Sequence, residues 1–245
     1  MRTSDKSVAE SAQLVFAVKS FNPLSSLRLS VVEQTMDSAD KAFSDVGRIL
    51  LDNGSYDGST DALRQLAEDR GWYFAAYNPA DENHTPGRGF NQVVQEVVQS
   101  FPRAEVVVHS DDDMFWQPQS SFALASIWSC LPDDIVMLSG LLEPEWPHNT
   151  PRESVRLANG STVLCRDSVS GAAMSFRLSD WTRRVGPALD DFGYDSQLCE
   201  RARAAGCRVA SLDLATHRWG YSTHGNEPTL RRDMKPLDKA RWGLE

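Results

Sequence analysis

Three consecutive carboxylates, Asp111-Asp112-Asp113, stand one residue beyond a short, largely apolar run that ends at His109. Adjacent carboxylates repel one another and resist burial. A divalent cation relieves such repulsion, and hard cations take oxygen ligands, often one or two carboxylates together with substrate phosphates. The plain alternative is a solvated acidic turn. A second polar cluster, Asp52, Asn53, Ser55 and Asp57, follows the apolar run Ile49-Leu50-Leu51. Alone, it reads as turn chemistry and a helix cap. The chain contains no GxxxxGK[ST], no strand-coupled GxGxxG and no GxSxG. A bound nucleotide would then rest on a metal, an arginine and polar loop tips rather than on a glycine-rich phosphate loop.

Both clusters need strands to carry them. Leu14 to Val18 is a buried apolar run closed by the turn pair Asn22-Pro23. Ile49 to Leu51, Trp72 to Tyr77, Glu105 to His109 and 135–142 read as further strands. Apolar residues recur at helical spacing over 24–40, about 61–70 (capped by Ser59 or Thr60), 90–101 and 119–131. Pro79 to Gly89 reads as a polar loop. Alternation of strand and helix means an α/β domain with a mostly parallel sheet, in which ligands sit at the carboxyl ends of the strands. Residues 143–165 read as loops with a hairpin, Ala172 to Phe176 and Arg208 to Leu212 as strands, and 194–205 as a helix ended by Gly206.

Composition narrows the function. The chain has 245 residues and a formal net charge of −9, so a phosphate-backbone ligand is a poor fit and no nucleic-acid partner is expected. No stretch has the length of a membrane span, and the polar start lacks a signal-peptide core. The four cysteines (Cys130, Cys165, Cys199, Cys207) form no CxxC pair, which favours reduced thiols and a cytoplasmic protein. The acidity is uneven: residues 217–245 hold six basic and four acidic side chains.

Six segments in one order resemble the inverting glycosyltransferases of family 2, which have the GT-A (nucleotide-diphospho-sugar transferase) fold. They are Asp52-Asn53-Gly54-Ser55 with Asp57-Gly58-Ser59, and Gly87-Arg88-Gly89-Phe90-Asn91. Asp111-Asp112-Asp113 follows as the DxD element, then Gly171 to Arg177 with Trp181 and Val185-Gly186. The last two are Gly193-Tyr194-Asp195-Ser196-Gln197-Leu198 with Arg201 and Ala205-Gly206, and His217-Arg218-Trp219-Gly220-Tyr221-Ser222. The likeness spans about residues 12–224. It departs where the family's Glu-Asp pair is Tyr194-Asp195 and the next acid is Gln197.

The resemblance implies a single Rossmann-like domain over 13–224, with a nucleotide-binding half (13–115) and an acceptor-binding half (116–224). It leaves 1–12 as a disordered tail and 225–245 as an arm. It implies sugar transfer from a nucleotide-diphosphate-sugar donor to a hydroxyl of a glycan, lipid-linked or natural-product acceptor. Asp195 would be the general base. Mn2+ or Mg2+ would sit on Asp113 and Asp111, with His217 as a further ligand. Ser20, Phe21, Asn22, Asp52, Ser55, Arg88, Asn91, Asp111, Asp112, Gly171 and Ala172 would hold the donor. Asp191, Tyr194 and Trp146 would face the acceptor. A homodimer stays open. Two rivals remain: a sugar-nucleotide nucleotidyltransferase, and a non-catalytic nucleotide-sugar-binding relative.

Overall fold

Leu14–Ser20 forms strand β1, and all of it is buried. A strand covered on both faces reads as a nearly continuous apolar run, as this one does up to Lys19. The computed structural model describes residues 13–24, 28–77, 85–141, 151–189 and 193–217. Helix α1 is Leu29–Ala42, β2 is Gly47–Asp52, α2 is Ser59–Asp69, β3 is Tyr73–Ala76 and α3 is Pro86–Ser100. Then come β4 (Val106–Asp111), β5 (Met114–Trp116), α4 (Ser120–Cys130), β6 (Ile135–Leu141), β7 (Glu153–Arg156), β8 (Thr162–Arg166) and β9 (Ala173–Arg177). A helical turn over Leu178–Asp180 widens into a π turn over Trp181–Val185. Helix α5 (Tyr194–Ala204) and β10 (Arg208–His217) complete the described chain.

The described strands form one sheet in the order β3-β2-β1-β4-β9-β6-β10-β8-β7, with β5 attached to β10. β3, β2, β1 and β4 are mutually parallel, and β6 is parallel to β10. β9 lies antiparallel between β4 and β6, and the β7–β8 hairpin adds an antiparallel edge. The sheet is therefore mixed, with the expected parallel part carrying both acidic clusters. No helix among the described residues is long and apolar enough to cross a membrane.

Several boundaries differ from the sequence reading, each for a local reason. Helix α3 begins at Pro86, inside the expected loop. Thr85 caps it by accepting from Arg88 N at 3.2 Å, and proline suits the first helical position. Neither Ser59 nor Thr60 is the cap of α2; Gly58 holds that place in the left-handed region at φ 86°. β10 runs on to His217 because its far end pairs with β5, a three-residue strand too short to show a period. β4 extends through Asp111, so the first aspartate is a strand residue.

The pleat sends alternate side chains to opposite faces. Leu14, Phe16 and Val18 join Val106 and Val108 in the core under α1, α2 and α4. Val15, Ala17 and Val107 join the core under α3 and α5. Phe16 centres the first core: it stacks on Phe43 at 4.1 Å and meets Trp72 and Trp116 edge-on at 5.9 and 5.6 Å. Truncation of this fully buried ring, Phe16→Ala, is expected to lower the unfolding free energy by about 3–5 kcal/mol. Urea denaturation followed by tryptophan fluorescence measures the loss.

Candidate functional site

Lys19 pairs with Asp111, and Ser20 with Asp52, in the parallel register of β1 with its two neighbours. The carboxyl ends of these strands thus bring both acidic clusters to one edge. The pleat then divides the aspartate run. Asp111 projects with Lys19 and His109 to the α3/α5 side, whereas Asp112 meets groups of the α1 side.

On the α1 side, Asp112 is enclosed. Its Oδ1 accepts from the Arg28 guanidinium, its Oδ2 accepts from Ser20 Oγ at 2.5 Å, and its carbonyl accepts from Thr35 Oγ1 at 2.9 Å. The Arg28 and Asp112 side chains are only 4% and 6% exposed. Asp113 is buried too. Burial pushes its carboxyl up to about 8, and the charges of Asp112 and Asp111 add to the rise while Arg28 opposes it.

On the α3/α5 side, Lys19 Nζ lies 3.3 Å from Asp111 Oδ1 and 5.5 Å from the centre of the Tyr194 ring. It also donates to the Pro86 carbonyl at 3.4 Å. His109 is fully buried, and burial first, then the Lys19 charge, depresses its ring to about 4. The ring is therefore neutral near pH 7. Its Nδ1–H donates to Gly171 O at 2.8 Å, which leaves Nε2 as a lone pair 3.9 Å from Asp111 Oδ1. Asp195 stands at the start of α5, half-buried. Its Oδ2 accepts from Gly171 N at 3.2 Å and its Oδ1 from Ser196 N at 2.7 Å. Burial raises its carboxyl above the ordinary range. The amides of Gly171 and Ser196 offset part of that rise, and the Asp111 charge adds to it. Glycine is required at two close approaches. A Cβ on Gly171 would lie 2.4 Å from the Tyr194 hydroxyl, and one on Gly89 would lie 2.7 Å from Lys19 Cδ.

Asp52 is fully buried and organises its own loop. Oδ1 accepts from Ser55 N and Oγ at 2.9 and 2.7 Å, and Oδ2 from Thr60 Oγ1 at 2.6 Å. Asn22, left-handed at φ 46°, ties the β1 loop to it: its N–H donates to Ser55 Oγ and its Oδ1 accepts from Tyr56 N, both at 2.9 Å. The outer surface of this double loop is aromatic. Phe21 meets the exposed Tyr56 edge-on at 5.7 Å.

The other expected site residues take the following places. Asn91, expected to hold the donor, grips the backbone of Ala188, donating to its carbonyl at 2.9 Å and accepting from its N–H at 2.8 Å. Tyr194, expected to face the acceptor, is 5% exposed and packs 5.0 Å from Phe90. Trp181 is core as well, against Phe90 and Phe176. Gly171 and Ala172 are buried; beyond the Gly171 contacts above, Ala172 O receives Asp111 N at 2.8 Å. Arg88 lies half-buried over the Tyr77 ring at 4.8 Å. Trp146 and Asp191 lie outside the described residues, as do the N-terminal tail and the C-terminal arm; His217 ends β10, and its side chain is outside the description. Sequence reasoning missed Lys19, Arg28 and Tyr56. Only the basic residue ending an apolar strand was a signal in the sequence, since the partners of all three come from strand register and loop packing.

Of the expected metal ligands, Asp111 and Asp113 are described and the His217 side chain is not. Among the described residues, no group of three His, Cys, Asp or Glu side chains could hold a metal ion. Asp111 faces Lys19, the oxygens of Asp112 belong to Arg28 and Ser20, and Asp113 is enclosed. This donor set does not fit a resident divalent cation.

No protein-family model matches the sequence, and neither does any curated protein. Solved structures do match the fold. A mannosyltransferase from Pyrobaculum calidifontis, PcManGT in complex with GDP-Man and Mn2+, superposes with a TM-score of 0.58 at 16% identity, over 82% of this chain and 55% of its own. S. aureus TarS 1–349 in complex with UDP-GlcNAc gives 0.57 and 16%, over 88% and 61%. GalNAc-T7 with UDP, GalNAc and Mn2+ gives 0.63 and 11%, over 95% and 48%. The chain thus spans roughly half to three fifths of the length of these proteins. Such low identities establish the fold alone: a single α/β domain with the GT-A, Rossmann-like architecture of these glycosyltransferases.

Two outcomes are expected at the aspartate run. Arg28→Met leaves Asp112 buried without its cation and should lower stability by about 3–5 kcal/mol, most of it restored by adding Asp112→Asn. A double-mutant cycle in urea reads the coupling. Asp113 carries the second outcome: its carboxyl rises from 3.8 to about 8 on folding, so the folded chain binds more protons between those values. Its contribution to stability therefore falls as pH rises through that window. Asp113→Asn should flatten the decline, and parallel wild-type and variant curves would refute the buried proton.

Proposed function

We propose that this chain is a nucleotide-sugar glycosyltransferase that transfers a hexose-type sugar, with inversion, to a hydroxyl of a glycan, lipid-linked or natural-product acceptor. The observation that supports it best is Asp195. It is a half-buried carboxylate with a raised pKa, held by Gly171 N at the carboxyl edge of a GT-A sheet, with the Asp111 charge acting on it. A base working near neutral pH needs such an upward shift, since its ordinary pKa leaves it too weak a proton acceptor.

In this reading the acceptor hydroxyl loses its proton to Asp195 as its oxygen attacks the anomeric carbon. The bond from that carbon to the donor's diphosphate breaks on the opposite face. Inversion requires this in-line placement of acceptor and leaving group. Residues 13–115 form the nucleotide half. The Phe21–Tyr56 edge offers the nucleobase an aromatic surface, and Asp52 shapes the loop behind it without facing the donor itself. Asp111, one-third exposed, would accept from the ribose hydroxyls. Residues 116–224 form the acceptor half, with Asp195 at its inner border.

A panel of UDP-, GDP- and dTDP-sugars, screened for thermal stabilisation and for transfer or hydrolysis by mass spectrometry, tests the assignment. One donor class is expected to bind and turn over. Release of pyrophosphate from a nucleoside triphosphate would favour the nucleotidyltransferase instead. Asp195→Asn should keep donor affinity and lose about 10²–10⁴-fold in transfer rate. Undiminished transfer by that variant would remove Asp195 as the base.

A further inference from the structure

We infer that this site binds its nucleoside diphosphate without a divalent cation, because Arg28 and Lys19 neutralise the first two aspartates of the run, Asp112 and Asp111, from within the chain. The inference rests on the nucleotide-donor reading above. It starts from two buried basic side chains, Arg28 and Lys19, that the transfer chemistry did not use.

Arg28 answers Asp112. Its guanidinium holds Oδ1 and Ser20 holds Oδ2, so both oxygens are engaged inside the fold. A guanidinium keeps its charge at any ordinary pH. To offer Asp112 to an incoming cation, the fold would have to leave Arg28 buried beside two positive charges, which is strongly unfavourable. Helix α1 reinforces the arrangement through Thr35, which holds the backbone carbonyl of Asp112.

Lys19 answers Asp111, and its position is built rather than incidental. Its side chain is only 9% exposed and runs past Gly89, where no Cβ could be accommodated. Its ammonium ends 3.3 Å from Asp111 Oδ1 and 3.4 Å from the Pro86 carbonyl, above the Tyr194 ring. The strand register places Lys19 beside Asp111 on the same face. An ammonium there fills the electrostatic role of a cation for this carboxylate and repels a second positive ion. Asp111, balanced by Lys19, can still accept hydrogen bonds from ribose hydroxyls, because a carboxylate has lone pairs on both oxygens.

The test is isothermal titration of the full chain with UDP, GDP and dTDP, in EDTA and again in excess MnCl2. The nucleotide that binds is expected to do so with the same Kd, within about threefold, in both buffers. Affinity at least about tenfold tighter with Mn2+ would overturn the inference and leave the donor reading standing. Absence of binding by all three nucleotides in both buffers would remove the donor reading, and this inference with it. Lys19→Met removes the ammonium beside Asp111. That variant should bind about tenfold more weakly in EDTA and regain affinity with Mn2+, whereas Lys19→Arg should keep its affinity in EDTA. An unchanged Lys19→Met affinity in EDTA would overturn the role given to Lys19. The wild-type comparison decides the question if that variant fails to fold.

Discussion

Three negative charges on adjacent residues cannot leave a buried strand together unless something separates or neutralises them. Two carboxylates about 4 Å apart repel by roughly 4 kcal/mol at the effective dielectric of a protein surface. The fold uses three devices at once. The pleat separates Asp111 from Asp112 onto different sides, Arg28 and Lys19 supply opposite charge, and burial keeps a proton on Asp113. Each device belongs to a different element: the first to β4, the second to β1 and the residue before α1, the third to the turn into β5. The carboxyl edge therefore depends on the correct register of β1 against β4. A one-residue slip would turn Lys19 away from Asp111 and toward the wrong core.

The same edge shows how absent side chains position present ones. Gly89 lets the Lys19 stem pass between α3 and the Tyr194 ring, and Gly171 lets α5 approach β9 closely enough for its amide to hold Asp195. The charged groups then work in a medium of little water, where a neighbour's charge counts for more. The depressed His109 ring and the raised Asp195 carboxyl both follow from that enclosure. Only a few ångströms separate a core that merely packs from an edge with tuned carboxylates.

Much of this was legible in the residues. The apolar runs named the strands from β1 to β4, and the helical stripe from Phe90 to Phe101 named most of α3. Both acidic clusters fell at strand ends, as expected for a parallel α/β sheet. What escaped was non-local. Asp52 looked like an open acceptor because its partners, Ser55 and Thr60, fold back on it only in three dimensions. The aspartate run looked like a cation site because nothing in its neighbourhood announced Arg28, more than eighty positions earlier. Alternation along β4 could have separated Asp111 from Asp112, had the strand been read two residues longer. Tyr194 read as a site residue because it adjoins Asp195; its ring is buried against Phe90, with its hydroxyl beside Gly171.

The grip of Asn91 on Ala188 bears on which positions tolerate change. A primary amide that donates and accepts at once reads a peptide group, whatever side chain is attached to it. Position 188 can therefore drift among residues that keep an N–H, with proline barred and bulk limited by the core it joins. Position 91 has no such latitude. Aspartate has the shape but cannot donate, leucine has neither function, and glutamine is one carbon too long for the same span. Among distant relatives of this chain, the asparagine should persist while the residues opposite it vary, an asymmetry easily mistaken for contact with a substrate.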